Sequence, residues 1–191
     1  MYYFKHIFFL LFLTIPFSIT NAQIREFTHP EIISFEHSTD PITAGKNSKV
    51  SLSNKHYKHL RHSLQWNWDK PNAQIFINQP IGYLSQNPNP KETSLSTFIF
   101  WIYNPKAISS GKLKFEFLKQ GKVCSWFEYG MNFTGWSGAW LIFSRDMQGT
   151  PEEGMDELRI TAPNTDCGEI FLDHIILSSF QDVRHQTADF Q

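Results

Sequence analysis

The sequence predicts an all-β protein, an antiparallel sandwich or barrel, on three observations. Some short segments alternate polar and apolar residues with period two. Others are continuous runs of β-branched and aromatic residues, and turn residues cluster between them. No segment longer than about ten residues holds a helical period. Of 191 residues, 41% are hydrophobic and 18% charged, with a net charge of −1 and 18 Phe, 6 Trp and 6 Tyr. Such a composition belongs to a globular chain, and its balance offers no general attraction for nucleic acid.

The first segment reads as a secretory leader. Lys5 and His6 precede an apolar run from Ile7 to Ile19, broken by Thr14, Pro16 and Ser18. Thr20-Asn21-Ala22 then places small residues where a signal peptidase reads them, so cleavage is expected before Gln23. A membrane anchor needs roughly 20 apolar residues, and this run is shorter. The expectation is a secreted or periplasmic protein with no membrane span and one domain, residues 23–191.

The strands follow in order. Ser63–Trp68 alternates, which puts Leu64, Trp66 and Trp68 on one face. Thr97–Tyr103 is a continuous β-branched and aromatic run and reads as a strand buried on both sides, so Trp66, Trp68 and Trp101 are expected in the core. Leu113–Phe117 alternates again, with Lys114 and Glu116 outward. Trp126–Tyr129, Ala139–Phe143, Glu157–Thr161 and Glu169–Leu177 complete the series. Turn clusters stand at Asp69–Asn72, Asn87–Pro90, Ser109–Gly111 and Pro163–Asp166. The two cysteines, Cys124 and Cys167, suit either a disulfide or two free thiols in such a compartment.

Charge is unevenly spread. Lys46, Lys49, Lys55, Lys58 and Arg61 lie in a stretch with three His and no acid, whereas acids dominate beyond Arg145. The basic stretch suits an anionic polymer such as a sulfated glycan, or is a solvated loop. His56, His59 and His62 resemble a metal cluster, but spacings of three residues spread them around a helix or a strand instead of converging on zinc. The paired acids Glu152-Glu153 and Asp156-Glu157 sit in one turn, unlike a glycosidase pair. No nucleophile elbow or phosphate loop is present.

Asp173 stands out inside the apolar segment Ile170–Leu177. Alternation puts Phe171, Asp173 and Ile175 on one face and Leu172, His174 and Ile176 on the other. The acid is therefore either solvated or a partly buried ligand that needs a cation. Among the tryptophans, Trp136 follows Thr134-Gly135 in an expected turn and is the candidate for an exposed sugar platform.

Six segments in order, Ser63–Trp68, Phe98–Asn104, Asn132–Trp136, Glu157–Pro163, Gly168–Ile175 and Asp182–Gln186, resemble the N-terminal domain of the chondroitin sulfate ABC lyases of polysaccharide lyase family 8. The resemblance implies a jelly-roll β-sandwich of the galactose-binding-like, carbohydrate-module type. It also implies an accessory role, because the family's catalytic His, Tyr, Arg and Glu lie in a helical toroid without counterparts here; no catalytic residue is assigned. The implied partners are a glycosaminoglycan such as chondroitin or dermatan sulfate, and a lyase catalytic domain. Trp136, Lys55, Lys58 and Arg61 are the candidate carbohydrate contacts. A structural cation, Ca2+ or Na+, is implied at the Asp173 side chain and the backbone oxygens of Ser34, His59 and His62. An independent secreted carbohydrate-binding module is the alternative.

Overall fold

A computed structural model describes residues 32–87 and 95–179; the expected leader and the Asp182–Gln186 segment lie outside these. The strands are β1 (Ile32–Ile33), β2 (Ile42–Ala44), β3 (Ser48–Ser53), β4 (Ser63–Trp68), β5 (Gln74–Ile77), β6 (Thr97–Asn104), β7 (Lys112–Lys119), β8 (Lys122–Gly130) and β9 (Gly135–Ile142). A single helical turn α1 (Phe143–Asp146) leads to β10 (Gln148–Gly149), β11 (Glu157–Thr161) and β12 (Gly168–Ser179). One sheet, here sheet A, runs β3-β4-β12-β6-β9, with β1 also on β12. The other, sheet B, runs β10-β8-β7-β11-β5-β2. Every pairing is antiparallel.

Each expected strand forms. The strands that patterning misses, β1, β2, β3, β5 and β10, are short or, like β3, carry only two apolar residues. Their ladders come from a neighbour rather than from local preference. The core is aromatic because alternating Phe residues of the two sheets meet face to face. Phe98 and Phe100 of β6 lie against Phe115 and Phe117 of β7 and Phe127 of β8, all buried. Phe115 and Phe127 stack at 4.6 Å with ring planes 7° apart. Losing one such side chain typically costs about 3–5 kcal/mol.

Two expectations about faces change. In β12 the register on β6 shifts between Asp173 and Ile176, which marks a β-bulge, and His174 takes φ 50°. The extra residue flips the alternation. Ile170, Leu172, Ile175 and Leu177 point into the core, while Ile176 joins Ile99 and Ile32 in a small cluster on the outer face. Trp101 is not in the core with Trp66 and Trp68. Phe98, Phe100 and Ile102 take the inward positions of β6, so Trp101 and Tyr103 face outward, half-buried. The run is apolar on both sides because each side is covered, one by sheet B and the other in part by a loop. Cys124, buried in β8, and Cys167, exposed before β12, are both free thiols.

Candidate functional site

The cover is residues 54–62, the His-rich connection between β3 and β4. It folds back over the outer face of sheet A and is tied there at several points. The Ser63 hydroxyl donates to the His56 carbonyl. The backbone amides of Lys58 and His59 donate to Asp173 Oδ2 at 2.7 and 2.8 Å. Those of Arg61 and His62 donate to the Glu36 carboxylate at 3.1–3.2 Å. The His56 ring stacks on Tyr103 at 3.8 Å, and Lys58 Nζ stands 4.3 Å above the Trp101 ring. The three histidines thus turn to different neighbours, His59 toward the His174 ring and His62 toward Glu36.

Asp173 is fully buried. Burial pushes its carboxyl up to about 6, against the pull of the amides of His59, Lys58 and His174, and the nearby Glu36 charge adds to the rise. His174, also buried, is pushed down to about 4 by burial and then by the charges of His59 and Lys58. The bulge is held by the acid itself, since His174 donates its amide to Asp173 Oδ1 at 2.7 Å.

Two carboxylates therefore lie under one loop. Neither has a Lys or Arg partner among the described residues. Carboxylate oxygens are the donor type a hard cation takes, but these already accept backbone N–H groups, three on Asp173 and two on Glu36, and among the described residues no group of three or more His, Cys, Asp or Glu is placed to hold a metal. His59 and His62 meet these carboxylates with their backbone N–H groups, which are donors, and not with carbonyl oxygens. Ser34 adjoins Ile33, which lies opposite Ile175 on β12. Glu36 escaped sequence reasoning, because nothing local distinguishes an acid that acts on a loop some 25 residues away.

Beside the loop runs a row of rings. In the β6–β9 register Tyr103 lies opposite Trp136, Trp101 opposite Gly138 and Ile99 opposite Trp140. Trp101 meets Trp140 edge-on at 5.9 Å, and Tyr103 meets Trp136 at 5.5 Å. Gly138 makes the row possible. A Cβ there would stand 2.7 Å from the Trp101 ring and 2.9 Å from the Phe100 carbonyl. Trp136 lies in strand β9 and is half-buried, not in a turn; Trp140, at 38%, is the more exposed. Lys55 and Arg61 are exposed on the loop, and with Lys58 they form no ion pair with a described carboxylate.

The outer face of sheet B differs. There Glu116 is buried between Lys114 at 2.7 Å and Arg159 at 2.8 Å. Burial pushes its carboxyl up, but the bonds from Arg159 and Lys114 outweigh this and leave it below its ordinary value. Those two bases are thus already neutralised.

A family model described as "Lyase, N terminal" matches residues 29–191. A chondroitin sulfate ABC exolyase of Bacteroides thetaiotaomicron is 44% identical over 172 residues, covering 90% of this chain and 16% of that protein. One of Proteus vulgaris is 39% identical over 150 residues, covering 78% of this chain and 14% of its own length. The chain thus spans about a sixth of the curated relatives it matches. Among solved structures, a family 11 carbohydrate-binding module from Clostridium thermocellum, in complex with a β-1,3-1,4-mixed-linked tetrasaccharide, superposes with a TM-score of 0.53. It is 15% identical and covers 76% of this chain and 92% of its own. That likeness concerns the two-sheet sandwich.

Proposed function

The chain belongs to the lyase N-terminal family, homologous to the N-terminal region of chondroitin sulfate ABC exolyase, and from that premise we propose that it is a non-catalytic accessory domain that contacts glycosaminoglycan. The contact surface is the outer face of sheet A. The observation that carries this is Lys58 over Trp101, beside Trp140 and Trp136 and the bases Lys55 and Arg61, which form no ion pair among the described residues. Flat rings offer faces to the C–H groups of a pyranose, and the ammonium and guanidinium groups meet its sulfates and carboxylates. A sulfated, uronate-containing chain such as chondroitin or dermatan sulfate combines both features. A secreted or periplasmic location belongs to the same reading.

A cation is the second part of the proposal. Asp173 and Glu36, with backbone oxygens of Ser34, His59 and His62, would hold Ca2+ or Na+, which would neutralise the two carboxylates and fasten the loop. It would perform no chemistry on the glycan.

Calorimetric titration of chondroitin sulfate into the purified chain tests the reading, with ultraviolet absorbance followed for unsaturated product. The expected result is binding without product, weakened by salt and by Trp140→Ala or Lys58→Ala. Binding indifferent to both variants would overturn the assigned face. No binding at all would favour a domain that serves only to dock on a lyase catalytic domain, and product would overturn the non-catalytic reading.

A further inference from the structure

Along β6 the ring row has a definite end. The strand finishes at Asn104, and residues 105–110 turn back beside Asn67 of β4 and Glu169 of β12, which lie opposite each other in register. Here the structure contains a cavity of about 790 Å³. It adjoins the aromatic face directly, because Glu169 is two residues before Phe171, the partner of Tyr103. From Ile99 to Tyr103 the row extends about 14 Å at the usual strand rise, long enough for more than one linked pyranose ring.

We propose that this cavity is a subsite for one acidic sugar residue of a glycan chain lying along the Trp140–Trp101–Trp136 row. The proposal deepens the functional reading above and rests on it. Three features of the cavity support it.

First, its polar groups are uncommitted. The side chains of Asn67, Lys106, Ser109 and Ser110 line it and have no hydrogen-bond or ion-pair partner among the described residues. A ligand would not have to displace an internal bond to reach them.

Second, the mixture of groups selects a chemical class. Lys106 offers one cation for one carboxylate or sulfate. Asn67, the two serine hydroxyls and the Glu169 carboxylate, of which Oε1 already accepts the Gln65 amide, suit sugar hydroxyls. Glu169 would repel a dense polyanion such as a nucleotide triphosphate, and an apolar ligand would strand the polar groups.

Third, the floor is built by close packing. A Cβ on Gly168 would stand 2.1 Å from the Trp68 ring, so the backbone closes directly on the indole, whose Nε1 donates to Thr165 Oγ1 at 3.3 Å. This floor is pre-formed and does not need to order on binding.

Cys167 supplies the test without a mutation. It lines the cavity as an exposed free thiol, while Cys124 is buried. A chondroitin sulfate tetrasaccharide at saturation is expected to slow modification of Cys167 by a thiol reagent by about tenfold or more, with Cys124 as the internal control. In parallel, Ala107→Trp, which fills the cavity from an exposed loop, and Lys106→Gln should each weaken tetrasaccharide binding by about tenfold. If binding depends on Trp140 and Lys58 but Cys167 reacts at its free rate and Ala107→Trp binds normally, the subsite is overturned and the face stands. If Cys167 is protected while Trp140→Ala and Lys58→Ala change nothing, the subsite stands and the row is overturned. Absence of any tetrasaccharide or polymer binding overturns both.

Discussion

The backbone amide of Lys58 is held by the buried carboxylate of Asp173 at 2.7 Å, while the ammonium of the same residue stands 4.3 Å above Trp101. One acid in β12 thus sets the place of a loop side chain on the face of β6. Removing that acid should loosen the surface as well as the fold. Asp173→Ala strands the amides of Lys58, His59 and His174, each lost partner costing about 1–3 kcal/mol. Denaturant unfolding should show the loss, and the fluorescence of Trp101 should change with it.

The pH dependence of stability has a distinctive form. Asp173 rises from its ordinary 3.8 to about 6 in the folded state, so the folded protein binds the extra proton in that window. Its contribution is full below pH 3.8 and lost as pH rises through about 6. His174 falls from 6.5 to about 4, so its contribution is present above pH 6.5 and lost as pH falls toward 4. The two slopes oppose each other and largely cancel between pH 4 and 6. With a chelator present, His174→Asn should therefore lose stability as pH rises through this window. Asp173→Asn should gain it, with neither slope exceeding about 1.4 kcal/mol per pH unit. Parallel profiles for the two variants would refute the assignment.

Calcium should stabilise the chain with the logarithm of its concentration once above Kd, by about 2.7 kcal/mol at a hundredfold excess, and raise the melting temperature accordingly. Glu36→Gln and Asp173→Asn should each reduce that increment while leaving a folded protein. An increment unchanged in both variants would place the ion elsewhere.

Gly138→Ala should disturb the ring row selectively. The new methyl group would collide with the Trp101 ring at 2.7 Å and the Phe100 carbonyl at 2.9 Å, so one of them must shift. Overpacking of this kind costs about 1–3 kcal/mol. The affinity for chondroitin sulfate should fall along with stability, whereas a core substitution of equal cost should leave the affinity of the folded fraction intact.

The sequence by itself determined that the chain is an antiparallel β protein, a sandwich or barrel, with apolar and aromatic residues on the inner faces of its strands. Leu64, Trp66, Trp68, Phe115 and Phe117 alternate strictly, and alternation is a local property that survives without knowledge of neighbours. It also singled out Asp173 as an acid in an apolar strand, either solvated or in need of compensation, and the structure buries it. Tertiary structure alone decided what its partners are. The loop amides reach Asp173 from more than 100 residues away in the chain, and no spacing encodes such contacts. The same holds for Trp101, whose strand is apolar on both sides and gives no local cue to its direction. The bulge at His174 was likewise invisible, because one inserted residue in a ladder changes the face of everything beyond it while leaving the composition of the strand unchanged.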